Sequence, residues 1–147
     1  MNDDLLQESF ALALHESARA WRHALDRRLK SLGLSQASWM SIAFLARAKN
    51  PLTQSELAHR LLVEGPTVVA MVDRLQHAGL VRREIAPEDR RVRRVLLTPE
   101  GQTVYAEVKR IAGEFRQEML DGLDAAELQQ ARDLLQRLQR IIEKTGR

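Results

Sequence analysis

Six arginines crowd the thirteen residues from Arg82 to Arg94, at positions 82, 83, 90, 91, 93 and 94. Against Glu84, Glu88 and Asp89 they leave a local charge of +3, equal to the net charge of the whole 147-residue chain. The remaining sequence therefore sums to zero, and a basic projection on a neutral body suits a polyanionic partner. Other reactive side chains are sparse. The absence of cysteine removes a thiolate metal site, a disulfide framework and a thiol redox switch. His15, His23, His59 and His77 lie on different stretches, and the step from His15 to His23 is too long for a shared metal ion. The sequence holds no glycine-rich phosphate loop and no nucleophile elbow. No enzymatic activity, metal or cofactor is expected; the chemistry on offer is electrostatic binding.

The elements that must position those arginines follow from periodicity. Leu6, Phe10, Leu14, Ala18, Trp21, Leu25, Leu29 and Leu32 recur at steps of three or four, which predicts a helix ended by Gly33. Ser35 then caps a second helix, Gln36 to about Ala48, before Asn50-Pro51 breaks the chain. Thr53-Gln54-Ser55-Glu56 is a capping box with Leu52 and Leu57 placed as a hydrophobic staple, opening a short third helix to about Leu62. Val63-Glu64-Gly65 reads as a tight connection, and Pro66 sits in the first turn of a fourth helix ending at His77. Its inward face reads Val69, Val72 and Leu75, and its outward face Thr67, Ala70, Met71 and Arg74. After Gly79 the period changes to two short β-rich runs, Leu80–Ala86 and Arg91–Thr98, around a charged tip at residues 87–90. Thr98-Pro99 and Asp124-Ala125-Ala126-Glu127 each open a further helix, with stripes through Val104, Val108, Ile111, Phe115 and Met119, and through Leu128, Ala131, Leu135, Leu138 and Ile142.

The expected fold is mainly α with a two-stranded β wing: a helix-turn-helix with a basic ribbon, flanked by long terminal helices. Three parts are expected: residues 1–34 as an N-terminal dimerisation helix, 35–101 as the winged helix-turn-helix, and 102–147 as C-terminal dimerisation helices. The terminal stripes are long for a winged module of about seventy residues to cover. A second copy would cover them with two-fold symmetry; folding back within a monomer is the alternative. The acidic N-terminus and the lack of a long uncharged apolar run argue against a signal peptide or a membrane span, so a cytoplasmic location is expected.

Leu57-Ala58, Val72-Asp73-Arg74-Leu75, Gly79-Leu80-Val81, Asp89-Arg90-Arg91 and Val95-Leu96-Leu97-Thr98-Pro99-Glu100-Gly101 resemble the signature of the MarR family of bacterial regulators. Trp21-Arg22 and Trp39 are similar to its SlyA branch. The resemblance implies a homodimeric transcriptional regulator, a repressor, on a palindromic duplex DNA operator. The residues expected to face DNA are Thr53, Gln54, Ser55, Pro66, Thr67, Val68, Ala70, Met71, Arg74, Arg90 and Arg91, with Asp89 bracing the wing. Thr53 is equally a plain helix cap, and Arg82, Arg83, Arg93 and Arg94 read as phosphate contacts or exposed charge. The wing itself is otherwise a solvated hairpin that protects a sheet edge. Where SlyA-like proteins often carry an arginine in the reading helix, this chain has Ala70, which shifts specificity toward DNA shape and the wing. The resemblance further implies a small aromatic carboxylate or phenolic effector near Arg19, Arg22 and Trp39, to which His15, one turn before Arg19, is added; the alternative is that Trp21 and Trp39 are core residues and the arginines cap or form salt bridges. A winged-helix module that binds an acidic protein surface instead of DNA is the competing reading.

Overall fold

In the computed structural model, which describes residues 2–146, the first periodic stretch forms α1 (Asp3–Leu29). A 3-10 turn at Lys30–Leu32 tightens its end, and Gly33 reverses the chain at φ 69°, a region where a side chain would strain the backbone. Ser35 Oγ accepts the Ser38 amide at 3.2 Å and starts α2 (Gln36–Arg47). A two-residue strand β1 (Leu52–Thr53) precedes α3 (Gln54–Leu61). Then come α4 (Gly65–His77), β2 (Val81–Ala86), β3 (Asp89–Leu97), α5 (Pro99–Leu120) and α6 (Ala125–Thr145).

The wing is a three-stranded antiparallel sheet in the order β1-β3-β2, where the sequence predicted two strands. Leu52 pairs with Val95 and Thr53 with Arg94. Two residues carry too little periodicity to register as a strand, and the same residues also serve as staple and cap of α3. Their pairing ties the helix-turn-helix to the wing.

One core holds these parts together. Ile42 of α2, Leu52 of β1, Leu57 and Ala58 of α3, Val68, Met71, Val72 and Leu75 of α4, Val81 of β2 and Val95 of β3 form a single buried cluster. The rotation of α4 corrects the expected one. Its buried stripe is Val68, Met71, Val72 and Leu75, the full i, i+3, i+4, i+7 pattern, while Val69 is 40% exposed. Val68 and Met71, expected on the DNA face, are core residues at 1% and 2% exposure. In the turn before α4, Leu62 takes the left-handed conformation at φ 58°, and the Val63 amide closes back on the Ala58 carbonyl.

The chain forms two compact units that divide between Gly113 and Glu114, within α5. In the first, Thr98 Oγ1 donates to the Gly79 carbonyl at 2.6 Å and accepts the Gly101 amide at 3.0 Å, capping α5 against the end of α4. In the second, α6 is an amphipathic helix with no buried residue, and Leu134, Leu135, Ile141 and Ile142 are exposed along it. Asp124 has N-cap backbone geometry, yet its side chain makes no capping bond, so the expected capping box is not formed. Among the described residues, no helix is long and apolar enough to cross a membrane.

Candidate nucleic-acid interface

The surface that α3, α4 and the wing present is built on that core. At the start of α3, Thr53 Oγ1 accepts the Glu56 amide at 3.0 Å and Glu56 Oε1 accepts the Thr53 amide at 3.1 Å. The capping box is thus complete, and Ser55 stands exposed beside it. On α4 the exposed positions are Gly65, Pro66, Thr67, Val69, Ala70, Asp73, Arg74, Gln76 and His77. Thr67, Ala70 and Arg74 therefore share the outward face, as expected, with Val69 replacing Met71 there.

The wing tip is tighter than predicted. Ile85 pairs with Arg93, whereas Ala86 pairs with Asp89 across a Pro87-Glu88 turn. Arg90, Arg91 and Val92 fall outside the register and bulge from β3, and a bulge of this kind re-aims side chains at the edge of a sheet. Arg91 is 91% exposed, and Asp89 holds it in place. One carboxylate oxygen accepts the Arg91 backbone amide at 3.0 Å and Nε at 3.1 Å, while the other accepts Nη2 at 3.1 Å. These bonds from Arg91 keep the Asp89 carboxyl below the usual carboxylate range. Arg90 is exposed, and its carbonyl accepts Arg93 Nη1 at 2.7 Å.

The other arginines are more committed than the sequence allowed. Arg94 donates to Glu84 at 2.6 Å and Arg82 to the same carboxylate at 3.2 Å, so Glu84 is held below the usual range, chiefly by Arg94. Arg83 is neither a free charge nor outward-facing. Its guanidinium contacts Gln54 of α3 and three positions of α4, and its side chain is 20% exposed. Strand alternation carried the signal for this arrangement: Arg83 shares a face of β2 with the buried Val81, while Arg82 and Glu84 take the other.

His15, Arg19 and Arg22 are exposed on α1, where they line two open grooves of about 390 and 290 Å³. Trp39 lines neither. It is 6% exposed, with its indole N–H donating to Asp26 at 2.9 Å, so burial and that bond account for it as a core residue. Among the described residues no three His, Cys, Asp or Glu side chains converge as a metal site.

An exposed helix face beside a braced arginine tip can offer donors to phosphates and base edges from two directions at once. Comparison with known proteins agrees with that chemistry. The MarR family pattern matches residues 32–92. The transcriptional regulator PA3341 is 41% identical with a TM-score of 0.85, over 92% of this chain and 98% of its own. MepR of S. aureus, solved in complex with DNA, shares the fold at 21% identity and a TM-score of 0.75, over 90% of this chain and 97% of its own. CouR of Rhodococcus jostii RHA1, solved with p-coumaroyl-CoA, does so at 23% and 0.76, over 90% and 93% of the two chains. On this fold, and at that identity to a transcriptional regulator across nearly its full length, the chain belongs to the MarR family of winged-helix, DNA-binding transcriptional regulators.

Proposed function

We propose that this chain is a homodimeric repressor that reads a palindromic operator and is released by a small aromatic or lipophilic ligand. The observation that carries the reading is the outward face of α4, with Thr67, Ala70 and Arg74, set on the same core as a wing whose bulge presents Arg90 and Arg91. In this reading α4 enters a major groove and Arg91 the flanking minor groove, where narrow A·T-rich stretches concentrate negative potential. Thr53, Ser55 and Pro66 lie against the sugar-phosphate backbone. Gln54 contributes through its amide nitrogen, since its oxygen is held by Arg83. Exposed apolar side chains on α1 (Leu5, Leu6, Phe10) and on α6 (Leu135, Ile142) support coverage by a second copy.

The effector reading rests on Arg19 and Arg22 with His15, whose cationic or polar groups suit a carboxylate or phenolate. A relative that holds an aromatic acyl thioester supports that ligand class. Trp21-Arg22 in α1 supports placement in the SlyA-like branch.

Selection of bound duplexes from a random pool tests the proposal. The expected product is a palindrome whose half-sites lie about one helical turn apart. Its affinity should fall with salt by about 0.9 log units per log unit for each neutralised phosphate. Salicylate or p-coumarate should then weaken the selected complex. A wild-type chain that retains no duplex above background at low ionic strength refutes the DNA reading; retention that neither compound alters refutes the effector.

A further inference from the structure

Arg83 crosses from the wing to both helices of the reader. Its Nε donates to Gln54 Oε1 at 2.6 Å, and Nη1 donates to Gln76 Oε1 at 2.8 Å. Nη2 donates to the Val69 carbonyl at 3.1 Å and lies 2.7 Å from Asp73 Oδ1. We infer that Arg83 is a positioning residue for DNA binding: it clamps α4 and the first residue of α3 to the wing without itself touching DNA.

Two physical points carry this assignment. First, Val69, Asp73 and Gln76 span about two turns of α4, so contacts to all three restrain both the rotation and the depth of the helix. Those are the two variables that decide where Thr67, Ala70 and Arg74 stand. Second, the guanidinium is a planar fork with donors in fixed directions, carried on a side chain that is 20% exposed, and its bonds to Gln54, Gln76 and the Val69 carbonyl are charge-assisted. Lysine at this position keeps the charge opposite Asp73 but cannot serve four acceptors on two helices. Gln54 is aligned by the same fork.

The inference rests on the reading that α4 and the wing meet DNA together, and its test separates the two. The probes are the best fluorescent duplex that the wild-type chain selects from a random pool and a scrambled duplex of equal length. Both are titrated across a salt series with the wild type, Arg83→Lys, Arg83→Met, Gln76→Ala and Gln76→Ala/Arg83→Lys, alongside thermal melts. Arg83→Lys is expected to melt near the wild type and to bind the selected duplex about tenfold more weakly or worse, the equivalent of one lost charge-assisted hydrogen bond. Its affinity for the scrambled duplex and its salt slope should stay unchanged, and Arg83→Met should match it in both. Gln76→Ala should add nothing to Arg83→Lys, because the two act through one contact. Should Arg83→Met fail to fold, Arg83→Lys and Gln76→Ala still decide the matter. Rescue of selected binding by lysine overturns the inference. So does a salt slope that falls by about 0.9 in Arg83→Met, since that marks a direct phosphate contact. A wild type with no preference between the two duplexes removes the DNA reading itself and the inference with it.

Discussion

Ala70 and Met71 are neighbours in sequence, yet the rotation of α4 assigns them opposite consequences. Met71 is 2% exposed within the core cluster, and truncating a buried methionine to alanine costs about 2–5 kcal/mol. Ser41 Oγ loses its contact to the sulfur at 3.0 Å but keeps its 2.6 Å bond to the Ala37 carbonyl, so no orphaned polar group adds to that cost. At roughly 3 °C per kcal/mol for a chain of this size, Met71→Ala should lower Tm by about 6–15 °C. Ala70 is exposed on the outward face, where a surface substitution changes stability by about 0.5 kcal/mol or less. A carboxylate there would meet phosphates, and like charges at an interface cost several kcal/mol; even 2 kcal/mol is about 30-fold. Ala70→Glu should therefore melt like the wild type and lose the operator, whereas Met71→Ala should melt early and bind normally per active molecule. The assay is a pair of measurements at fixed protein concentration: thermal melts, and titration of the selected duplex corrected for active fraction by stoichiometric titration. The rotation assigned to α4 is wrong if Met71→Ala retains its Tm while losing affinity as Ala70→Glu does.

Arg91→Ala should cost about 1–3 kcal/mol of operator binding if the side chain reaches a base edge, and an unchanged titration would remove Arg91 from the interface. Gly101 is half of a close crossing, because a Cβ there would collide with the Leu80 carbonyl, which also accepts the Thr98 amide. Gly101→Ala should destabilise by about 1–3 kcal/mol, whereas Gly122→Ala, with open space around it and no positive φ, should be neutral or slightly stabilising; equal urea midpoints for the two would contradict this. Because Arg91 lowers the carboxyl pKa of Asp89, the brace contributes fully above the ordinary aspartate range and is lost only as pH falls through the depressed value. A nuclear magnetic resonance titration of Arg91 Nε–H should accordingly show its midpoint below that of an unperturbed aspartate, and a midpoint at or above it would deny the brace. Leu135→Asp/Ile142→Asp should convert a sedimenting dimer to monomer, and an unaltered dimer would exclude the α6 face from the interface.

Helix boundaries were legible because caps and breakers announce them: Ser35, Thr53 and Thr98 each accept the amide expected of them. The rotation of α4 was not. With Val68 and Val69 adjacent, and Met71 beside Val72, several stripes fit an apolar helix of thirteen residues, and only packing against Ile42, Leu57 and Val81 chooses among them. β1 was hidden for a different reason, since a two-residue strand owes its existence to a partner some forty positions later. The wing arginines were visible as charge, but their destinations were not, because Asp73, Gln54 and Gln76 reach Arg83 only through tertiary structure. Trp39 shows the reverse: a residue type suited to ligand stacking is already occupied by Asp26 and the core.

Counting arginines overstates the charge the wing can offer a duplex. Arg82 and Arg94 share Glu84, Arg83 is paired with Asp73, and Arg91 with Asp89. The exposed pairs among these, at Arg82 and Arg91, add little to the stability of the sheet. Their effect is directional. A free arginine side chain has about 2 kcal/mol of rotamer entropy to lose on being ordered. Asp89 removes part of that freedom in the unbound protein, gripping Nε, Nη2 and the backbone amide of the same residue. In the proposed complex the tip would therefore meet DNA with an oriented fork, and less ordering would remain to be done on association. Arg90 leaves the same bulge with no carboxylate in ion-pair range among the described residues, so one braced and one unbraced cation share the tip. Under the proposed DNA-binding mode, a braced cation would favour shape-dependent insertion and an unbraced one would adapt to whichever phosphate is near, the division of labour that a wing needs if the helix beside it reads DNA with Ala70 at its centre.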